Sequence, residues 1–371
     1  MNQPVAAGQT EIVIADPIAP GRRLFGHVLL AAATLLLVGT ALLQVLDVAG
    51  IAPVGFLNWR PLLYAYLVWA VALGAWQVIT RGYIGQRALF VLPAALFTLA
   101  VAIFPTLFGF YIASLDWNLS SAEGPHFNGF HNFVSMFHDA YYWNALLNMG
   151  FYLLAVIVEY AIAFGLALLL NAEIRARKFF RVSFLLPFML SPVAVSWMIG
   201  KSLMEYRFGP AARLARDLGW HTPAFFAQPW TARIAIEAMD AWVSIPFIMI
   251  LLLAGLQAMP KEVTEAAKVD GANGWQAFWR VTFPMMLPVS VTAVLIRVIF
   301  KLKLADIVIN VTSGGPGGAT DTVSSFIYRV YRDRSNVGYG TALAMFYLVL
   351  IIVFLTVLLR VTRHWTRSVN D

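Results

Sequence analysis

The sequence predicts an all-α, polytopic helical membrane protein of about eight transmembrane helices, six of them forming a core. Three observations carry that prediction. Of the 371 residues, 60% are hydrophobic and 12% are charged, against about 25% charged in a soluble domain, and mean hydropathy is +0.74. The apolar residues are gathered into runs that approach or exceed the roughly 20 residues needed to cross hydrocarbon. The basic residues beside those runs favour one set of loops roughly two to one, as membrane orientation requires. A net charge of +7 is therefore read as orientation, and no nucleic-acid partner is expected. With no cysteine, the chain has no disulfide, thiolate metal site or cysteine nucleophile.

The eight spans are expected near 25–45, 62–80, 88–114, 145–170, 182–203, 233–256, 287–309 and 340–361. The first residues include Glu11, Asp16 and Pro17 and lack a basic start, which reads as a cytoplasmic tail. Arg22 and Arg23 then precede an apolar run from Phe25 to Val45, too long for a signal-peptide core and read as a retained span. Arg81, Arg87, Arg177, Lys178, Arg181, Lys261 and Arg280 fall in loops on the cytoplasmic side, which places both termini there. The loop from Asp116 to Trp143 has no Lys or Arg and is rich in aromatics, including Trp117, Phe130 and Tyr141, as an outer interfacial segment is. The sequence divides into an N-terminal extension with two extra spans (1–84) and a six-span domain (85–371), with Arg81-Gly82-Tyr83-Ile84-Gly85-Gln86-Arg87 as a hinge-like break.

Between the sixth and seventh spans, a polar, helix-favouring block must lie at the membrane surface. Lys261 to Val269 contains no Gly or Pro and is expected to be helical. Gly271 permits a turn that a Cβ would resist, and a second short helix is expected from Trp275 to Val281. Ala266 and Ala267 give a flat face for a partner, with Glu265, Lys268 and Asp270 as polar anchors.

This block, Glu265-Ala266-Ala267, Gly271 and then Val281-Thr282-Phe283-Pro284, resembles the EAA loop of permease subunits in ATP-binding-cassette importers. Gly271 and Pro284 fall on the motif's glycine and proline; Val281 and Phe283 replace its Ile and Leu. Other segments resemble the carbohydrate-importer branch, which includes the larger maltose-permease subunit: Gly129-Phe130-His131-Asn132-Phe133, Phe180-Arg181 with Leu185-Leu186-Pro187, Val311-Thr312-Ser313-Gly314-Gly315-Pro316 and Gly338-Tyr339-Gly340-Thr341-Ala342. The resemblance implies the permease subunit of a bacterial inner-membrane importer for a sugar, oligosaccharide or polyol. Its implied partners are a second permease subunit, two nucleotide-binding ATPase subunits, an extracytoplasmic solute-binding protein and membrane lipid. The loop at 257–288 is then the coupling element, with Glu265, Ala266, Ala267, Asp270, Gly271 and Pro284 meeting the ATPase. No phosphate-binding loop of the G-x-x-x-x-G-K-[ST] type occurs. The chain is thus expected to bind no cofactor and to catalyse nothing, with ATP and Mg held by the partner subunits.

Charges inside spans are functional hypotheses by default. Glu159, Glu237, Asp240, Arg297, Lys301 and Lys303 all fall in or at the ends of expected spans. The resemblance places Phe188, Asp240, Ser244 and Lys301 along the substrate path, an aromatic face for a sugar ring and polar groups for its hydroxyls. Pairing of Asp240 with Lys301 for purely structural reasons remains an open alternative. The six histidines show no metal-ligand spacing, so no metal is expected. A competing reading is a secondary transporter that uses Glu159 and Asp240 as proton or cation sites.

Overall fold

The computed structural model describes residues 19–48, 51–172 and 175–367. The N-terminal tail with Glu11, Asp16 and Pro17 lies outside them. The chain forms two compact units, Met1–Tyr111 and Ile112–Asp371. Among the described residues, six helices are long and apolar enough to cross a membrane, seven if one bent pair of helices is counted as a span.

In the first unit, α1 (Pro20–Val48) packs on α2 (Arg60–Thr98). Gly26 meets Thr80 and Trp76 where a larger residue would clash. The apolar stretch Arg60–Ala113 is 54 residues long, or about 80 Å if straight, more than twice the hydrocarbon thickness. It cannot stay straight. Gly82 breaks it with φ 54° and ψ −127°, and the two arms fold back on each other. Tyr66 Oη donates to the Leu96 carbonyl at 2.5 Å, and Gly74 faces Leu89 and Leu92. A Cβ on Gly85 would stand 1.8 Å from the Gln77 carbonyl oxygen. The stretch 81–87 is therefore the tight corner of a helical hairpin, and its arms account for two of the eight expected spans. The second arm runs on through a π turn, Leu99–Ile103, into α3 (Phe104–Ala113).

The second unit opens with a small ribbon, β1 (Leu115–Asp116) antiparallel to β2 (His126–Phe127), and the short α4 (His131–Phe137). Buried Asn132 donates to the Ala113 and Leu115 carbonyls at 2.9 and 2.8 Å, closing this cap over backbone that would otherwise lack partners. Three long helices then form the centre: α5 (Ala140–Asn171), α9 (Pro229–Ala258) and α12 (Phe283–Leu302). Ala163, Ala167, Met249, Leu252 and Met286 interlock them on the side of the 257–288 loop.

The span expected at 182–203 is not straight. α6 (Arg177–Leu185) and a 3₁₀ turn are bent by 95° from the segment Pro192–Leu203, which begins with α7 (Pro192–Val195). The reason is local. Pro192 pushes Ser191 into extended backbone (φ −70°, ψ 146°), and the Ser191 hydroxyl caps the new helix through the Ala194 N–H. The next loop carries the short helix α8 (Pro210–Asp217).

After α9 come α10 (Lys261–Val269) and α11 (Gly274–Ala277), and beyond α12 come α13 (Asp306–Val311), α14 (Val323–Asp333) and α15 (Val337–Arg367). The Gly-rich segment between α13 and α14 is ordered by side chains of the long helices. Asn144 and Asn148 donate to the Gly318 carbonyl at 2.7 and 2.9 Å, and Arg233 Nε donates to the Ala319 carbonyl at 2.7 Å.

Candidate functional site

Where α5, α9 and α12 meet, five charged side chains that stand far apart in sequence converge. Spacing explains the clustering: Glu237 and Asp240 are three apart on α9, Arg297 and Lys301 four apart on α12, so each pair shares a helix face. Lys301 is fully buried, and its Nζ donates to Glu159 at 2.9 Å, to Glu237 at 2.6 Å and to Asp240 at 2.6 Å. Arg297 grips Glu159 with both Nε and Nη2, the latter at 2.8 Å, and also donates to Asp240. Oxygens of Glu159, Glu237 and Asp240 lie within 4.8 Å of one another, close enough to hold a metal ion. The Lys301 ammonium is bonded to all three, so the position of a bridging cation is taken. Three carboxyl groups thus face two cations, and Glu237 Oε1 has no hydrogen-bond partner among the described residues.

One edge of the cluster opens. A cavity of about 290 Å³ is lined by Phe188, Asp240, Ser244, Phe247, Arg297 and Lys303, among others. Phe188 and Phe247 are stacked with ring centroids 5.4 Å apart and planes 21° off parallel. Of the four residues expected along a substrate path, Phe188, Asp240 and Ser244 therefore line one cavity. Lys301 sits behind it, and the cations on the cavity wall are Arg297 and Lys303. Phe188 reaches this place because of the bend before Pro192.

The second feature is the elbow of α10 and α11. α10 ends with Gly271 at φ +78°, where the Gly271 N–H bonds to the Lys268 carbonyl at 3.1 Å and the Ala272 N–H to the Ala267 carbonyl at 3.0 Å. This is a Schellman cap, which favours glycine for its left-handed φ. Asn273 and Gln276 then form a reciprocal capping box that starts α11. Instead of one helix to Val281, α11 passes at Phe278 into a π turn that feeds α12. Glu265, Ala266, Asp270 and Gly271 are exposed, Ala267 is buried and Pro284 is half-buried. Val269 and Trp275 are also exposed, 86% and 72%, an apolar rim on an otherwise polar elbow.

A third polar centre was not visible in the sequence. Asp321, buried after the Gly-rich segment, is paired with Arg329 and accepts from Ser325 Oγ at 3.0 Å. Burial pushes its carboxyl up from the usual range, opposed by Arg329 and Ser325. Its carboxylate fills the space beside Gly314, where a Cβ would stand 2.2 Å from an oxygen. That contact gives the Gly-Gly-Pro segment a physical reason for its glycine.

A cavity with aromatic and charged groups on its wall inside a membrane-spanning bundle, beside a cluster in which both cations are matched and with an exposed surface elbow, marks a membrane transport component. The particular family follows from comparison with known proteins. The chain belongs to the binding-protein-dependent transport system inner membrane component family, whose profile matches residues 160–367. It is 31% identical over 276 residues to the trehalose/maltose transport system permease protein of Thermococcus litoralis, covering 74% of this chain and 92% of that protein. It is 32% identical over 284 residues to the sulfoquinovosyl glycerol transport system permease protein of Agrobacterium fabrum, covering 76% of this chain and 92% of that protein. The fold is similar to that in a crystal structure of a bacterial alginate ABC transporter in complex with an alginate pentasaccharide-bound periplasmic protein. There the TM-score is 0.66 at 22% identity, with 78% of this chain and 98% of the other covered.

Proposed function

We propose that this chain is the permease subunit of an ATP-binding-cassette importer for a sugar, oligosaccharide or polyol, working with a second permease subunit, two ATPase subunits and an extracytoplasmic binding protein. The observation that carries the reading is the α10–α11 elbow: an exposed pair of short helices, fixed in angle by the Gly271 cap and continuous through a π turn with α12. α12 bears Arg297 and Lys301. A rigid body moved by the ATPase at Glu265, Ala266, Asp270 and Gly271, with Ala267 and Pro284 packed beneath that surface, thus shifts the helix that carries both cations of the charge cluster. Coupling of this kind needs rigid elements with two arrangements. ATP and Mg stay on the partner subunits, and both termini lie in the cytoplasm.

Phe188, Asp240 and Ser244 give the substrate path an aromatic face with polar groups beside it, as a sugar ring requires; Lys301 acts there by holding Asp240 in place. The substrates in the relatives' names, trehalose/maltose and sulfoquinovosyl glycerol, support a carbohydrate-like cargo. Family membership does not favour a secondary transporter, and Glu159 and Asp240 are already bonded to Arg297 and Lys301.

The test is ATPase activity of the reconstituted complex with and without binding protein and candidate sugars, for wild type and Gly271→Pro. Stimulation by loaded binding protein is expected in wild type and lost in the variant, which cannot hold φ +78°. Unchanged stimulation in the variant, or uptake by this chain without any ATPase, overturns the proposal.

A further inference from the structure

A second cavity, of about 650 Å³, lies at the other end of the bundle among Arg177, Lys178, Arg181, Gln257, Lys261 and Thr264, and Leu168 and Leu256 also line it. Among the described residues no Asp or Glu lines it, and none of its four basic side chains makes an ion pair. The two guanidinium groups are held by an amide: with the Gln257 carbonyl turned towards them, it accepts from Arg177 Nη2 at 2.8 Å and Arg181 Nη2 at 3.0 Å. Arg177 Nε and Arg181 Nε are both buried without a hydrogen-bond partner among the described residues. Native structures rarely leave such donors unmatched unless something else supplies the acceptor. Four unpaired cations around a polar cavity call for an anion rich in oxygen acceptors.

Position selects the source of that anion. The cavity lies at the last turns of two spans, Ala140–Asn171 and Pro229–Ala258, hence at the edge of the hydrocarbon, where lipid headgroups stand. α6 presents its basic residues Arg177, Lys178 and Arg181 within an arc of about 100°, and its exposed apolar residues Phe179, Phe180 and Val182 on the rest of the helix circumference. That is the pattern of a helix lying in the membrane interface. We infer that this cavity is a binding site for the phosphate headgroup of an anionic phospholipid of the inner leaflet, its acyl chains running along the apolar face of α6. Basic pockets between membrane helices on the cytoplasmic side bind such headgroups on the same physical grounds.

A phosphate there bridges α6 to the corner where α9 turns into α10, because Gln257 and Lys261 flank that corner. Lipid charge would then brace the root of the elbow. The site itself does not depend on the substrate, or on the elbow being a coupling element.

The experiment reads lipid retention directly. The full chain is purified from nanodiscs containing phosphatidylglycerol or phosphatidylcholine, and retained lipid is counted by native mass spectrometry. Inorganic phosphate is tried separately as a thermal stabiliser in detergent. Selective retention of phosphatidylglycerol is expected, falling about fivefold for each basic residue neutralised in Arg177→Gln/Arg181→Gln and unchanged in the control Arg207→Gln/Arg213→Gln. Should the double variant not fold, Lys261→Gln, an exposed single change, carries the same expected fivefold loss. Equal retention of both lipids, or an equal loss in the control, overturns the site. Protection by inorganic phosphate with no preference for phosphatidylglycerol overturns the lipid assignment. So does loss of ATPase-subunit association in the double variant with lipid retention intact, which would make the cavity a protein contact. Retention is measured without transport, so failure of the importer reading leaves this result interpretable.

Discussion

The charge cluster and the α10–α11 elbow are the two polar features that matter most here, and they are built in opposite ways. In the cluster every cation is matched: Lys301 meets three carboxylates and Arg297 two, with both cations buried. In the elbow, Glu265, Lys268 and Asp270 are exposed, and among the described residues no ion pair includes them. Burial makes the first arrangement costly to break, since removing one partner leaves a charge desolvated without compensation. Exposure makes the second cheap to alter, because water solvates whatever is left. The difference teaches where to look for fold and where for function. The cluster holds three long helices together; the elbow leaves its polar groups free to meet water or the partner proposed for it.

The comparison can be broken from either side. The largest effect is expected for Arg297→Met, which leaves Lys301 as the one cation facing three carboxylates in the bundle and should cost about 3–5 kcal/mol, read as a lowered melting temperature or loss of folded protein after extraction. If the variant melts like wild type, the cluster does not organise the helices. The smallest is expected for Glu265→Gln, which should move stability by no more than about 0.5 kcal/mol while lowering the ATPase stimulation of the assembled complex. A large drop in melting temperature with normal stimulation would reverse the roles assigned to the two regions.

Much of this was legible in the sequence, because the signals were local. The spans show as long apolar runs, the elbow as a helix former followed by Gly271, and the corner at 81–87 as a Gly-rich, Arg-flanked break. Gly271 in particular was read correctly as a turn, and its left-handed φ and Schellman cap give the mechanism. Partnerships were not legible. Glu159, Glu237, Asp240, Arg297 and Lys301 could each be noticed as a charge in a span, but which bonds to which depends on the packing of three helices. For that reason Lys301 was placed on the cavity wall, where the structure puts Arg297 and Lys303. The 95° bend was hidden for a different reason: Ser191-Pro192 is a visible breaker, but it sits inside an apolar run that reads as one span. The basic cavity was missed because Arg177 and Arg181 were counted only as orientation charges. Their convergence on Gln257 requires the end of α9 to pack against α6.

The central claim, that the elbow is the contact to the ATPase, can be tested on a chain that naturally lacks cysteine. Glu265→Cys and, at the opposite end of the bundle, Arg213→Cys on α8 would each be treated with a short cysteine-to-lysine crosslinker in the assembled complex. The account predicts an adduct between this chain and an ATPase subunit from position 265 and none from position 213. An intact complex that gives no adduct from 265, or gives one from 213, would contradict it.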